Sequence, residues 1–336
     1  MTTGVPDISV VLPAHNEAGN IAPMCATLTA ILAPLGSYEI VFVDDGSKDG
    51  TLAALRAAAA ADPRVRYVSF TRNFGHQPAL RAGLRYSRGR GVVVLDSDFE
   101  HPPELIPRLV AAWRAGSRIV ATRRDDAEAD LVAGKRTTSD LYYRLLNAVG
   151  DVRIEPGSAD YMLLDRGVVD TLNALDDQDF FLRGAVRWLG HPIETLAYSR
   201  GTRRHGDSKY SLRRMIELAI TGIAAHSVRP LRIAIWFALG FALLGLLLVA
   251  YSVFSFLFVP STVTGWTSMM AAVAILGAAQ LLVLGIIGEY VGRIFGETRR
   301  RPTYLIGETE AESRAENATA AQARPQETLH RTVPLS

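Results

Sequence analysis

The first third of the chain alternates short apolar runs with helical patterns. Ile8–Leu12, Tyr38–Val43, Val65–Phe70 and Val92–Leu95 are nearly continuous in apolar residues and predict strands. Between them, helices are predicted over Asn20–Leu35, with Pro23 in its first turn, over Thr51–Ala61 and over Pro78–Ser87. Pro102 and Pro103 then introduce a helix over Glu104–Ala115. Strands without polar alternation are buried on both faces, and strands separated by helices of this length form βαβ units and a parallel sheet.

The pattern continues less regularly. Strands are predicted at Arg118–Ala121, Tyr161–Leu164 and Ile193–Tyr198, and helices at Thr138–Val149 and Phe180–Leu189. Phe180, Phe181 and Trp188 fall at helical spacing and are assigned to the core. Residues 125–134 are polar, and Arg200–Lys209 is a basic, glycine-containing loop. Ser211–His226 carries its apolar residues at helical spacing, with Arg213, Arg214 and Glu217 on other sides, as in a helix lying on a membrane surface.

From Ile233 to Gly288 there is no Asp, Glu, Lys or Arg. Within this stretch two segments, 233–259 and 268–291 with its polar end, are each long enough to cross a bilayer, which takes about 20 residues. A buried helical hairpin in a soluble core is the other reading. Arg213, Arg214, Arg229 and Arg232 precede the pair and Arg293, Arg299, Arg300 and Arg301 follow it, whereas the turn between carries no basic residue. The positive-inside rule then predicts a hairpin in the cell membrane with both flanks cytoplasmic. The N-terminal residues carry no charged start and apolar core of a secretory signal, so the globular part is expected in the cytosol.

These boundaries divide the chain into a cytosolic domain (1–209), a juxtamembrane amphipathic helix (210–232), two spans (233–291), a basic segment (292–307) and a tail (308–336). The tail is poor in apolar residues and is expected to be disordered. A net charge of +2 is too small to argue for nucleic acid, and the basic residues cluster beside the membrane, where lipid phosphates would meet them. The single cysteine, Cys25, allows neither an intrachain disulfide nor a thiolate metal site.

The chemistry gathers at strand ends. Three of the first four strands stop on polar residues: Asn16 and Glu17, Asp44 and Asp45, Asp96 and Asp98. Parallel strands share one carboxyl-end face, where open α/β sheets bind ligands. Asp96-Ser97-Asp98 places two hard oxygen donors close together, suited to a divalent cation that would hold a diphosphate. A solvated, helix-capping turn reads equally well from these residues alone, and Asp44-Asp45-Gly46-Ser47 also reads as an ordinary turn. Neither G-x-G-x-x-G after the first strand nor G-x-x-x-x-G-K-[ST] is present, so neither a dinucleotide fold nor a P-loop is supported. His76 and His101 have no obvious partner and read as structural.

Val11-Leu12-Pro13-Ala14-His15-Asn16-Glu17, Val43-Asp44-Asp45-Gly46-Ser47 and Asp96-Ser97-Asp98 together resemble the family 2 glycosyltransferases of GT-A fold. Arg72-Asn73-Phe74-Gly75-His76-Gln77, His101-Pro102-Pro103-Glu104, Phe181-Leu182-Arg183-Gly184 and Arg203-Arg204-His205-Gly206-Asp207-Ser208-Lys209-Tyr210 narrow the resemblance to the polyprenyl-phosphate glycosyltransferases. It covers about residues 7–306. The resemblance implies a Rossmann-like, mainly parallel sheet. It also implies that Pro13, Asn16, Glu17, Asp44 and Asp45 line the nucleotide's base and ribose. Asp96 would contact nucleotide and metal, and Asp98 would be the main ligand of Mg²⁺ or Mn²⁺. Glu100 stands where the family often has Gln, and a carboxylate there would also ligate. Asp160 matches an acidic position of the family, and Arg123, Arg136, Arg203 and Lys209 match basic positions around the acceptor phosphate, with Lys135 aligning as well as Arg136. Arg203, Arg204 and Lys209 also read simply as headgroup contacts.

The expectation is a membrane-anchored enzyme that moves one sugar, with UDP-glucose favoured, from a nucleotide sugar to a polyprenyl phosphate with inversion. Its partners are then the donor, the acceptor and membrane lipids; a homo-oligomer is compatible with the sequence. A membrane-tethered nucleotide-sugar sensor is the alternative of another class. A processive polysaccharide synthase is disfavoured, because Gly184-Ala185-Val186-Arg187-Trp188 has Gly where Q-x-x-R-W requires Gln.

Overall fold

A computed structural model of the chain describes residues 4–124, 158–175, 177, 180–198, 239–247, 249–251, 254, 258, 265–299 and 301–313. The expected helices at 138–149 and 211–226, the polar stretch 125–134 and the loop to Lys209 lie outside the described residues, as do Arg136 and Arg203.

Eight strands form one sheet. In chain order they are β1 (Ile8–Ala14), β2 (Tyr38–Asp44), β3 (Val65–Phe70), β4 (Gly91–Val94), β5 (Ile119–Arg124), β6 (Ser158–Asp165), β7 (Glu194–Tyr198) and β8 (Ile306–Thr309), and they lie in the order β7-β5-β6-β4-β1-β2-β3-β8. β1 pairs in parallel with both β2 and β4, β2 with β3, and β5 with β7. β6 runs antiparallel between β4 and β5, and β8 runs antiparallel along β3. The result is a mixed, mostly parallel sheet of GT-A type.

The unbroken apolar runs are buried because helices cover both faces. α1 (Ala18–Leu32), α2 (Thr51–Ala61) and α4 (Ile106–Arg114) pack on one face, where Val10, Leu12, Ile40, Phe42 and Val93 point. α3 (His76–Tyr86), α5 (Arg166–Ala174) and α6 (Leu182–Trp188) pack on the other; Val11, Val41, Val92 and Val94 face the cluster these helices form. Successive residues of a strand thus serve opposite cores, as the two-residue repeat requires. Gly83 of α3 sits directly on β1: a methyl group there would lie 2.1 Å from a Val11 methyl carbon.

Several boundaries differ from the sequence reading. α3 begins at His76, because Gly75, at φ 108°, makes the turn that Pro78 was expected to make. Pro23 lies in the second turn of α1, not the first. α5 was not anticipated; Asp165 caps it by accepting from the Gly167 amide at 3.1 Å. Trp188, expected in the core, is 68% exposed, while Phe180 is buried.

The largest correction concerns the segment after the apolar region. Residues 308–313 were assigned to a disordered tail, but Glu308 and Thr309 belong to β8, and Glu310 is buried. Tyr304 stacks on Phe70 of β3 with ring centroids 4.8 Å apart. The globular domain is therefore completed from both sides of the apolar stretch rather than by residues 1–209 alone. Within that stretch, α7 (Leu239–Tyr251) and α8 (Trp266–Thr298) are helical. α8 is long and apolar enough to cross a bilayer, and its Ile275–Gly296 window is only 6% buried. Ala18–Leu35 passes the same hydropathy test, but Ile21, Met24, Leu28 and Leu32 are fully buried against the sheet.

Candidate active site

β1, β2 and β4 deliver their terminal residues to one edge, as their shared direction requires. The turn after β1 is locked onto the turn after β2. The Asn16 amide donates to Ser47 Oγ, the Lys48 amide to Asn16 Oδ1 (both 2.9 Å), and the Glu17 amide to Thr51 Oγ1 at 2.8 Å. Asn16 itself adopts φ 59°, a left-handed conformation that Asn tolerates better than most residues. Pro13, at the end of β1, accepts through its carbonyl from Ser97 Oγ at 2.8 Å, which pins the turn after β4 beside β1.

Asp44 and Asp45 are both buried but have different tasks. Asp44 accepts from the Ser47 amide at 3.0 Å and from Ser69 Oγ at 2.7 Å, so its oxygens are used inside the fold. Asp45 accepts from the backbone amides of Phe74 (2.6 Å) and Gly75 (2.9 Å) and so holds the loop after β3 at the edge. Burial raises the Asp45 carboxyl above its usual range, partly offset by those two amides.

The Asp96-Ser97-Asp98-Phe99-Glu100 turn forms the acidic floor. Phe99 is held at φ 63°, a conformation unfavourable for an aromatic residue and the kind of local strain found at functional sites. The Glu100 amide donates to Asp98 Oδ1 at 2.9 Å. Burial raises the Asp98 carboxyl above its usual range; the Glu100 amide offsets part of this, while the charges of Asp96 and Glu100 push it further up.

Asp160 enters from the start of β6, whose Met162 lies opposite Val94 of β4, and it is only 9% exposed. Arg183 Nε lies 3.0 Å from its Oδ1, and Gln77 Nε2 donates to its Oδ2 at 3.1 Å. His76 Nε2 bridges the two acidic elements, 3.6 Å from Asp160 Oδ2 and 3.7 Å from Asp96 Oδ1. Burial alone would raise the Asp160 carboxyl, but the close His76 ring and the Arg183 charge outweigh it and hold it below its usual range. For His76 burial acts downward, and the nearby Asp160 and Asp96 carboxylates reverse it to a net rise. On the other side, His101 Nδ1 is 3.3 Å from Asp96 Oδ2, and its ring stacks on Tyr161. Both histidines therefore have carboxylate partners, contrary to the sequence reading.

This is an edge of hard oxygen donors beside an arginine and two imidazoles. Among the described residues no three His, Cys, Asp or Glu side chains already converge in a metal-binding arrangement. Burial, with a smaller push from Asp96 and Glu100, raises Asp98, and a bound cation would offset both, so this set of hard oxygen donors fits one.

The glycosyl transferase family 2 model matches residues 9–172, which span β1 to α5, and the GtrB C-terminal hairpin model matches residues 229–294. A glycosyltransferase of Bacillus subtilis, YkcC, whose function is uncharacterised, is 36% identical over 89% of this chain and 92% of its own length. The bactoprenol glucosyl transferase of Shigella phage SfX is 38% identical over 89% of this chain and 98% of its own. The chain belongs to glycosyltransferase family 2. A solved structure, the mannosyltransferase PcManGT of Pyrobaculum calidifontis in complex with GDP-Man and Mn²⁺, is 16% identical over 96% of this chain and 82% of its own, with a TM-score of 0.47.

Within this family 2 enzyme, the structure brings Pro13, Asn16, Glu17, Asp45, Asp96, Asp98, Glu100 and Asp160 to one edge, and Asp44 just beneath it. Arg123 is exposed at the end of β5, in register with Ser158 of β6, and so lies on the same side. Sequence reasoning gives Arg183 and Gln77 no role at the site and reads the two histidines as structural. Arg183 and Gln77 stand inside short motifs already noted, but their shared partner Asp160 arrives from a distant strand.

Proposed function

We propose that this enzyme transfers a single glucose from UDP-glucose to a polyprenyl phosphate at the cytosolic face of the cell membrane, with inversion. The observation that carries the reading is the open acidic edge: Asp96, Asp98 and Glu100 on one turn, with Asp160 clamped by Arg183, in the same chain as an apolar helix of spanning length. The bactoprenol glucosyl transferase that is similar to the chain over nearly its whole length supports a polyprenyl acceptor and glucose as the sugar.

Asp96, Asp98 and Glu100 would hold a divalent cation, Mg²⁺ or Mn²⁺, which when bound supplies the charge neutralisation that a departing nucleoside diphosphate needs. The turns after β1 and β2, locked together through Asn16 and Ser47, form the nucleotide's bed. Asp45 shapes that bed by holding the Phe74–Gly75 backbone. A phosphate monoester is mostly dianionic near neutral pH, since its second ionisation lies near pH 6, so the acceptor needs positioning rather than deprotonation. Asp160, held ionised by Arg183 and His76, accordingly orients sugar or acceptor and is not required as a general base. Arg123, with Arg136, Arg203 and Lys209, is assigned to the acceptor phosphate, which guanidinium groups grip bidentately.

Radiolabelled UDP-glucose incubated with the enzyme in membranes containing undecaprenyl phosphate tests the proposal. Label is expected in the organic-extractable lipid, and a chelator is expected to keep it in the aqueous phase. Nucleotide binding with an unlabelled organic phase would instead establish a sensor.

A further inference from the structure

Beside α3 lies a differently built cavity of about 530 Å³, within the range of about 300–1,000 Å³ common for ligand sites. Phe74, Pro78, Arg81 and Phe180 line it from the catalytic domain, and Arg299 and Arg301 line it from the segment that follows α8. Among the described residues no carboxylate lines it. Arg81 donates to the backbone carbonyls of Leu175 and Asp177 and lies over the Phe180 ring, with its guanidinium carbon 5.4 Å from the centroid. Arg299 lies over the Phe295 ring at 4.3 Å. Among the described residues, none of these arginines forms a salt bridge.

Three arginines around one cavity, with no acid among its described lining, make a basic patch suited to an anion. The carbonyl end of α8 carries only about half an elementary negative charge, too little to balance three arginines. The position narrows the ligand further. Ile275–Gly296 is the apolar window of α8, and the cavity opens at Gly296, where a spanning helix would leave the hydrocarbon and meet headgroups.

We propose that this cavity binds the phosphate of an anionic membrane lipid, separately from the catalytic edge, and thereby seats the catalytic domain on the end of its own membrane helix. The site rests on the reading that α8 crosses the bilayer. It also touches the catalytic framework: Gln77, one residue before Pro78, bonds both Asp160 and the Leu182 amide. An occupied cavity therefore holds α3 and α6 in the arrangement that clamps Asp160.

The test uses the full chain purified in mild detergent with phosphatidylglycerol or phosphatidylcholine, and counts retained lipid by native mass spectrometry. The wild type is expected to retain phosphatidylglycerol preferentially, and R301A and R299A/R301A to lose it by about fivefold for each arginine removed. Arg301 is exposed and, among the described residues, makes no side-chain bond, so R301A reports without threatening the fold; R299K/R301K should restore retention. Unchanged retention in R299A/R301A would overturn the site. Displacement of phosphatidylglycerol by equimolar inorganic phosphate would overturn the lipid assignment, and a raised KM for polyprenyl phosphate with lipid retention intact would reassign the cavity to the acceptor. Alkaline extraction of the same membranes reads insertion of the helices separately, so failure of the membrane reading and failure of this site give different results.

Discussion

Both edges of the sheet bury carboxylates, and they do opposite things with them. At the amino edge Glu39 accepts from Ser9 Oγ at 2.6 Å, from the Arg88 amide at 2.5 Å and from Arg66 Nη1 at 2.9 Å. Arg66 also donates to the Tyr86 carbonyl at 2.9 Å and to Glu310 at 3.2 Å. This network is closed: its main cation is shared by two acids, and it ties β1, β2 and β3 to the residue after β8. At the carboxyl edge Asp45, Asp96, Asp98, Glu100 and Asp160 outnumber the arginines that face them among the described residues, and burial with mutual repulsion raises Asp98. A buried acid is structural where protein donors already occupy its oxygens, as Ser9, Arg88 and Arg66 do for Glu39. It belongs to a site where part of that task is left to a ligand.

The contrast is sharpest when one acid is removed from each edge. Glu39→Ala leaves Arg66 buried with half of its acidic partners, and breaking a buried pair in this way costs about 3–5 kcal/mol. A large fall in Tm is expected, with normal transfer per folded molecule. Asp98→Asn should do the reverse: transfer falls about 100-fold or more, because cation binding is worth several kcal/mol. Its Tm is expected to stay level or rise, because a repulsive charge has gone. A Tm loss in Asp98→Asn comparable with that of Glu39→Ala would erase the distinction between the edges.

Arg183→Ala lies between these cases. It removes the ion-pair partner, 3.0 Å away, of a nearly buried carboxylate and leaves that charge less compensated. If Asp160 must be ionised and fixed in place, turnover should drop about 10–100-fold with less effect on Tm than Glu39→Ala has, and Arg183→Lys should recover part of it. Full activity in Arg183→Ala would make the pair merely structural.

Which acids belong to which edge was only partly legible from the sequence. The strands β1 to β4 announce themselves because they are buried on both faces, and shared direction then places Asp45, Asp96 and Asp98 together without further information. Glu39 gives no such signal: it sits inside an apolar run, and its partner Arg66 comes from the neighbouring strand β3. The partners of His76 are hidden because Asp96 and Asp160 reach it only through the pairing of β4 with β6, whereas Asp96 lies five residues before His101 and the turn that joins them is not predictable from periodicity. Asp165 followed by Val168, Val169 and Leu172 did carry a readable helix start, a capping acid before apolar residues at helical spacing. β8 was illegible for a different reason. It is only four residues long with a single apolar side chain, Ile306, and is largely exposed, as suits an edge strand, and its register is set by β3 from the far side of the apolar stretch.

β8 also offers the smallest and most local prediction. Glu308 pairs with Arg56 and accepts from the Tyr67 hydroxyl, and the Arg56 hydrogen bond holds its carboxyl below the usual range despite some burial. A lowered acid stabilises the folded arrangement above its unfolded pKa, about 4.5, and loses that contribution as pH falls through the folded value. Arg56 is half exposed, so the pair is worth only about 0.2–1 kcal/mol, and its loss should loosen the edge without unfolding the sheet. Hydrogen exchange of the β8 amides should therefore accelerate on acidification beyond the intrinsic pH effect, while those of β1 and β4 stay protected. In Glu308→Gln the added acceleration should vanish, because the charge is absent at every pH. If β8 opened equally in wild type and variant, the strand would be held by Tyr304, Phe70 and the Arg66–Glu310 pair alone, and the amino edge would be the whole of what binds the chain's end to the sheet.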